Sequence, residues 1–309
     1  MPERRLPSRV RVFEVGPRDG LQNESRILDV DARLELVARL VRAGLRDIEI
    51  GAFVHPRWVP QMAGTDELAR RLPREDGVRY WALVPNLRGL ERARAAGIGH
   101  VCLLASATDS HSVRNLNRPM AERERINAEV ARAARDEGLA IRGYVSVAFG
   151  CPFEGDVPFD RVLAIGERFL ENGVDEISLG DTVGFAGPAD VARATRRAIA
   201  AFGAERVALH LHDTRGLGLA NVIAGLDAGA RIVDSSVGGI GGCPYAPGAA
   251  GNLATEDLVH LLERLEISSG VDLGRLVETS AFLERDCGIE PSSRYYRWAS
   301  AQPAASGSD

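Results

Sequence analysis

At 309 residues, with 45% hydrophobic and 26% charged residues, the chain has the make-up of a soluble globular protein with room for a large core. A net charge of −5 and a pI near 5.8 leave no basic footprint, so nucleic acid is not an expected partner, and small anionic ligands would be met by local arginines. Four cysteines, at 102, 151, 243 and 287, do not make a disulfide scaffold in a chain this long. No run reaches the ~18 apolar residues of a membrane span, and the Arg-rich residues 1–9 lack the apolar segment of a secretory signal. A reducing cytoplasm is the expected compartment.

Read in order, the chain repeats a short β-rich run, a loop with Gly, Pro, Asp or Asn, and a helical stretch rich in Ala, Arg, Glu and Leu. Strands are predicted at 10–15, 47–50, 80–84, 100–105, 141–147, 175–179, 207–211 and 232–237. Helices are predicted near 31–43, 65–72, 87–96, 121–137, 159–172, 188–202, 216–229 and 255–265. Eight strand–helix units imply a (β/α)8 TIM barrel, because parallel neighbours need a crossover helix. The competitor is an open doubly wound sheet, whose glycine fingerprint after the first strand is missing. Residues 1–275 are assigned to the barrel, with a further helix-like stretch at 272–285. Residues 276–309 are assigned to a short helical extension and a tail expected to be disordered from 303.

In such a barrel, chemistry belongs at the carboxyl ends of the strands. Strand 7 carries His210 and His212 at i and i+2, so both imidazoles leave one face while Val207, Leu209 and Leu211 leave the other. A lone histidine is more often a satisfied core residue; a same-face pair beside Asp213 points instead to metal binding or catalysis. Arg18-Asp19 follows strand 1. It is either a surface turn closed by Asp-Gly or a hard oxygen ligand next to a fixed positive charge. Asn252 could add an amide oxygen, and equally could cap the helix that opens at Thr255-Glu256. Two imidazoles, a carboxylate and an amide suit Mg²⁺, Mn²⁺ or Co²⁺ better than structural zinc.

Alternation in Ile48-Glu49-Ile50 sends Glu49 into the barrel, where pairing with Arg18 would satisfy both groups. Glu14, Arg142, Glu176 and Asp234 also fall on inward positions by this count, either as structural ion pairs or as site groups. Cys243 lies in a loop with several glycines, where a thiol could act as a general acid. Cys102, Cys151 and Cys287 read as structural.

The segments 14–24, 53–62, 176–182, 210–214 and 237–257 together resemble the 3-hydroxy-3-methylglutaryl-CoA lyase family, in order and at the family's spacing, from about residue 10 to 275. The resemblance implies a divalent-metal-dependent barrel that cleaves 3-hydroxy-3-methylglutaryl-CoA to acetyl-CoA and acetoacetate in a retro-Claisen manner. It implies Asp19, His210, His212 and Asn252 as metal ligands. It also implies Arg18 facing the nascent enolate and Cys243 in proton transfer, with Asp19 or His210 receiving the hydroxyl proton. Glu49, Asp181 and Glu256 match supporting acidic positions, and Gln22 a substrate-proximal one. A CoA thioester is then the partner, in a homodimer, and leucine breakdown is one pathway such a lyase serves.

The segment 105–117 lacks the glutamate and phenylalanine associated with well-known members and has His111 instead, and residues 51–53 lack hydroxyl side chains found in some relatives. Both lie near the mouth, so a related substrate such as citramalyl-CoA, or a longer-branched hydroxyglutaryl-CoA, is an alternative. An acetyl-CoA-condensing synthase of the same barrel group shares the Arg-Asp and His-x-His elements, but usually carries a further C-terminal domain. A non-catalytic metal-bound barrel is the third reading.

Overall fold

The computed structural model describes residues 6–242 and 251–302. Strands β1 (Arg11–Glu14), β2 (Asp47–Ala52), β3 (Arg79–Leu83), β4 (His100–Ser106), β5 (Ala140–Ser146), β6 (Glu176–Asp181), β7 (Val207–Leu211) and β8 (Ile232–Ser235) form a closed parallel barrel. They follow sequence order, and pairing of β8 with β1 seals the ring, which rules out the open sheet. Around it run α1 (Val30–Arg42), α2 (Thr65–Arg71), α3 (Leu87–Ala95), α4 (Asp109–Leu116), α5 (Met120–Asp136), α6 (Phe159–Glu171), α7 (Pro188–Phe202), α8 (Gly218–Asp227) and α9 (Thr255–Arg264). Two more, α10 (Leu273–Arg285) and α11 (Arg294–Ser300), follow the last barrel unit. Among the described residues no helix is long and apolar enough to cross a membrane.

Local signals explain most of these elements. Asp29 caps α1 by accepting from Ala32 N at 2.8 Å, and Asn86 and Asp272 do the same for α3 and α10; such a cap is worth about 1 kcal/mol. Between the caps the apolar stripe does the rest: in α1, Leu36, Val37, Leu40 and Val41 are buried, at helical spacing. The sequence reading does not anticipate α4 and α11. Helix α4 is short and polar, burying His111 and Ser112 rather than an apolar stripe. Helix α11 is seven residues long, started by Ser293 accepting from Tyr296 N at 3.1 Å.

Register determines which side chains fill the barrel, because partners across a ladder leave the same face. Phe13 pairs with both Asp47 and Asp234, Arg142 with Cys102 and Glu176, Tyr144 with Ser178, and His210 with Asp234. All of these point inward. Glu14 therefore points outward, a correction to its inward assignment. It accepts from Gly16 N at 2.7 Å, Val237 N at 2.9 Å and the Thr255 hydroxyl at 2.7 Å. The count from sequence slips by one because Phe13 is the residue the ladder aligns with the acidic positions on both neighbours.

The lower part of the barrel is an ion-paired floor. Arg142 is fully buried between Glu176, at 3.1 Å, and Asp234, and it stacks 3.7 Å from the centre of the Phe13 ring. Asp47 accepts from Arg79 at 2.7 Å and from the Trp81 indole at 2.9 Å, and Arg11 bridges Asp47 and Glu176. Charges this deep are tolerated only when paired on every side.

Candidate active site

After β1 the chain makes one wide turn, Gly16–Gly20, in which Val15 O accepts from Arg18, Asp19 and Gly20 N at 3.1, 2.7 and 3.2 Å. The last of these is an i to i+5 bond, a π-turn of the kind that recurs at functional sites. Arg18 is 4% exposed, so Arg18-Asp19 is no surface turn. Its guanidinium meets Asp19 at 2.5 Å and Glu49 at 2.8 Å, and lies over the Tyr144 ring. Glu49 reaches this position from β2, where a register shift against β3 between Glu49 and Gly51 marks a bulge. It also accepts from the Tyr144 hydroxyl at 3.0 Å.

Across the barrel, β7 delivers the histidine pair. His210 Nε2 lies 3.3 Å from His212 Nε2 and 3.8 Å from Asp19 Oδ2, and donor atoms of Asp19, His210 and His212 all fall within 4.8 Å of one another. Adjacent ligands about 2.1 Å from a small octahedral cation stand about 3 Å apart, so this spacing fits one ion. Asn252 comes alongside because residues 251–253 bond to the end of β7, Asp213 N to Gly251 O at 2.8 Å and Leu253 N to Leu211 O at 3.2 Å. Its Nδ2 donates to Asp19 Oδ2 at 2.9 Å, while its Oδ1 is buried with no hydrogen-bond partner among the described residues, an acceptor still to be satisfied. Helix α9 begins after Ala254, so Asn252 is not its cap. Gly241, at φ 103°, is needed for this approach: a Cβ there would stand 2.6 Å from Asn252 Nδ2 and 2.9 Å from Gly20 Cα.

The electrostatics favour a cation. Burial works to raise Asp19, but Arg18 and the two histidines outweigh it and hold the carboxyl at about 2. Burial, with His210 beside it, lowers His212 to about 3, keeping its lone pair free. For His210 burial acts downward, and the hydrogen bond to Asp234 and the charge of Asp19 raise it overall. A carboxylate, two imidazoles and an unpartnered amide oxygen form a mixed O/N set that suits a hard divalent ion.

Over the triad opens a cavity of about 180 Å³, lined by Arg18, Asp19, Gln22, His210 and His212 and by the apolar Val54, Val59, Leu83, Leu104 and Leu116. His111 and Asn115 of α4 and Gly242 also line it. Cys243, the next residue, lies outside the described residues. Two predicted acidic residues stand apart from the triad. The Asp181 carboxylate accepts from Phe185 and Ala186 N, and burial raises it to about 6. Glu256 accepts from Gly238 N and the Ser280 hydroxyl, and burial raises it to about 8. Tyr144, Asp234 and Glu24, whose carboxylate accepts from Gly241 N at 3.2 Å, also surround the site. Of these, Asp234 was visible in the sequence through its parity and Glu24 only as the last residue of the 14–24 segment, while Tyr144 was not singled out.

The HMGL-like family model matches residues 9–283. The chain belongs to the HMGL-like family. It is 48% identical to the hydroxymethylglutaryl-CoA lyase of Pseudomonas mevalonii over 285 residues, 92% of this chain and 95% of that one. It is 44% identical to the 3-hydroxy-3-isohexenylglutaryl-CoA/hydroxy-methylglutaryl-CoA lyase of Pseudomonas aeruginosa over 300 residues, 96% of this chain and 98% of that one. Among solved structures, the HMG-CoA lyase of Bacillus subtilis superposes with a TM-score of 0.93 at 42% identity, covering 96% of this chain and 99% of that one. The HMGL-like match runs through every strand of the barrel and ends inside α10.

Proposed function

We propose that the protein is a divalent-metal-dependent carbon–carbon lyase that splits 3-hydroxy-3-methylglutaryl-CoA into acetyl-CoA and acetoacetate. The observation that carries this reading is the convergence of Asp19, His210 and His212 on one point beside the buried Arg18, at the mouth of an HMGL-like barrel. Asp19, His210, His212 and the Asn252 amide oxygen would hold the cation, Mg²⁺ or Mn²⁺ by donor hardness, with Co²⁺ next. When bound, the ion supplies Lewis acidity that makes a tertiary alcohol a stronger acid.

The remaining work falls to side chains. The C3 hydroxyl gives up its proton, the C2–C3 bond breaks, and its electron pair is left on C2 as a thioester enolate, which is then protonated to the acetyl group. The chain contains no lysine, all 38 of its basic residues being arginine, so no side-chain imine can serve as the electron sink. Arg18, held by Glu49 and Asp19, is the fixed positive charge for the developing oxyanion. Asp19 or His210 would take the hydroxyl proton, and Cys243 would protonate the enolate. Gln22 lines the cavity beside Arg18 as a substrate contact, and Asp181 and Glu256 hold the surrounding loops. A homodimer in the cytoplasm completes the reading.

The apolar wall of Val54, Val59, Leu83, Leu104 and Leu116 also favours a larger 3-alkyl branch, of the kind named for the Pseudomonas aeruginosa relative. Acetyl-CoA release tests both. The substrates are 3-hydroxy-3-methylglutaryl-CoA, a longer-branched homologue and citramalyl-CoA, each with Mg²⁺, with EDTA and with Arg18→Met. Mg²⁺-dependent cleavage of the first, lost in Arg18→Met, is expected. Preference for another substrate would move the specificity, and no cleavage of any would reject the lyase.

A further inference from the structure

His210 has two ring nitrogens, and only one faces the triad. The other, Nδ1, lies 3.2 Å from Asp234 Oδ2, on the neighbouring strand at the same register. Asp234 is 1% exposed and holds two further donors, Arg142 on Oδ1 and the Ser178 hydroxyl on Oδ2 at 2.9 Å. The proposed lyase reaction places His210 among the metal ligands and assigns no role to Asp234.

A neutral imidazole keeps its proton on the nitrogen that faces a carboxylate. With Nδ1–H donating to Asp234, the Nε2 lone pair is the one left toward His212 and Asp19. We propose that Asp234 is a positioning residue, which fixes His210 in the Nδ1–H tautomer and so presents Nε2 as a metal ligand. This rests on Asp19, His210 and His212 being the metal site. Outer partners of this type set ligand orientation and basicity.

Arg142 makes the arrangement directional. A guanidinium can only donate, so whatever occupies Oδ1 must be an acceptor. In Asp234→Asn the amide oxygen therefore stays toward Arg142, and the NH₂ takes the place of Oδ2, facing His210 Nδ1. That nitrogen must then accept, the proton moves to Nε2, and the lone pair is lost from the metal face. The side chain keeps its shape while the tautomer inverts. Ser178→Ala, by contrast, removes one donor from the same carboxylate and leaves His210 its acceptor.

The test uses the full chain without metal at pH 8. The His210 tautomer is read from ¹⁵N imidazole shifts, assigned by comparison with His210→Gln, and Mn²⁺ affinity is measured by electron paramagnetic resonance titration. The expected results are Nδ1–H in the wild type and Nε2–H in Asp234→Asn, with Mn²⁺ affinity falling about 10–100-fold in that variant and staying near wild type in Ser178→Ala. Nε2–H in a wild type that binds Mn²⁺ would overturn the proposal, as would an Asp234→Asn variant with unchanged tautomer and affinity. A wild type that binds no Mn²⁺ would instead remove the metal site on which it depends. The wild-type tautomer is measured without any substitution, so it decides the matter even where Asp234→Asn fails to fold.

Discussion

Replacing Arg18 by Met separates two roles the guanidinium fills at once. Glu49 is 0% exposed, and its charged partner is Arg18 at 2.8 Å. Without Arg18 the carboxylate keeps the Tyr144 hydroxyl at 3.0 Å. Breaking one side of a buried pair costs about 3–5 kcal/mol. At about 2 °C per kcal/mol for a chain of this size, the Tm of Arg18→Met should fall by about 6–10 °C. The catalytic loss is separate: removing a preorganised group at a developing oxyanion costs about 10²–10³ in kcat. Adding Glu49→Gln removes the stranded charge while the amide oxygen still accepts from Tyr144. The double variant should therefore regain most of the lost Tm and none of the lost rate. The assay is thermal unfolding by circular dichroism, beside acetyl-CoA release at saturating Mg²⁺. A double variant as unstable as the single one would refute the buried-pair account, and one that regains activity along with stability would refute the electrostatic role.

Removal of the metal by EDTA should abolish cleavage and leave the far-ultraviolet spectrum unchanged, since the barrel closes through its own ladder. Asn252→Ala should weaken Mn²⁺ binding by calorimetry, because its unpartnered oxygen is the proposed fourth donor; unchanged affinity would remove it from the proposed ligand set. Burial raises Glu256 to about 8 and Glu14 to about 7, so the folded state holds protons that the unfolded state releases above about pH 4.5. Their contribution is complete below that pH and is lost as pH rises through 7 to 8. Tm followed from pH 5 to pH 9 should show a shallower decline in Glu256→Gln than in the wild type, and an identical decline would show that Glu256 titrates normally. Gly143→Ala would drive a Cβ to 2.8 Å from the Phe169 ring, costing about 1–3 kcal/mol in denaturant unfolding. Combining it with Phe169→Leu should recover part of that loss.

The barrel was legible because each strand–helix unit is marked twice, by an apolar run and by a helical stripe, and predicted strand ends fall within about two residues of those observed. The Glu49–Arg18 pair followed from alternation within Ile48-Glu49-Ile50, together with the cost of an unpaired charge inside a barrel. Parity fails where the phase is unanchored: β1 has four residues, and a slip of one moved Glu14 from the outside to the inside. Tyr144 escaped notice for another reason. A tyrosine in a buried strand looks like packing until its partners are known, and these come from β2 and from the turn after β1. Helix α4 escaped because it packs through polar side chains, His111 bonding to the Ser106 hydroxyl at 2.8 Å, where a search for apolar periodicity finds nothing.

Among the described residues, Asp19, Asp47, Glu49, Glu176 and Asp234 carry carboxylates at the barrel interior or its mouth, and residue type does not separate proposed ligand from scaffold among them. Saturation does. Asp47 holds Arg79, Arg11 and the Trp81 indole; Glu176 holds Arg11 and Arg142; Asp234 holds Arg142, Ser178 and His210. A cation entering that layer would have to displace an arginine and would meet its charge at close range. Asp19 has one arginine, its side chain is 20% exposed, and the neighbours on its open side are two imidazoles and an amide, which carry no fixed charge. The gradient from arginine-paired floor to open mouth therefore favours Asp19 as the carboxylate an incoming ion would meet. It also explains why Arg18 belongs at the boundary: tied down by Glu49 from below, it leaves Asp19 charged and still available from above.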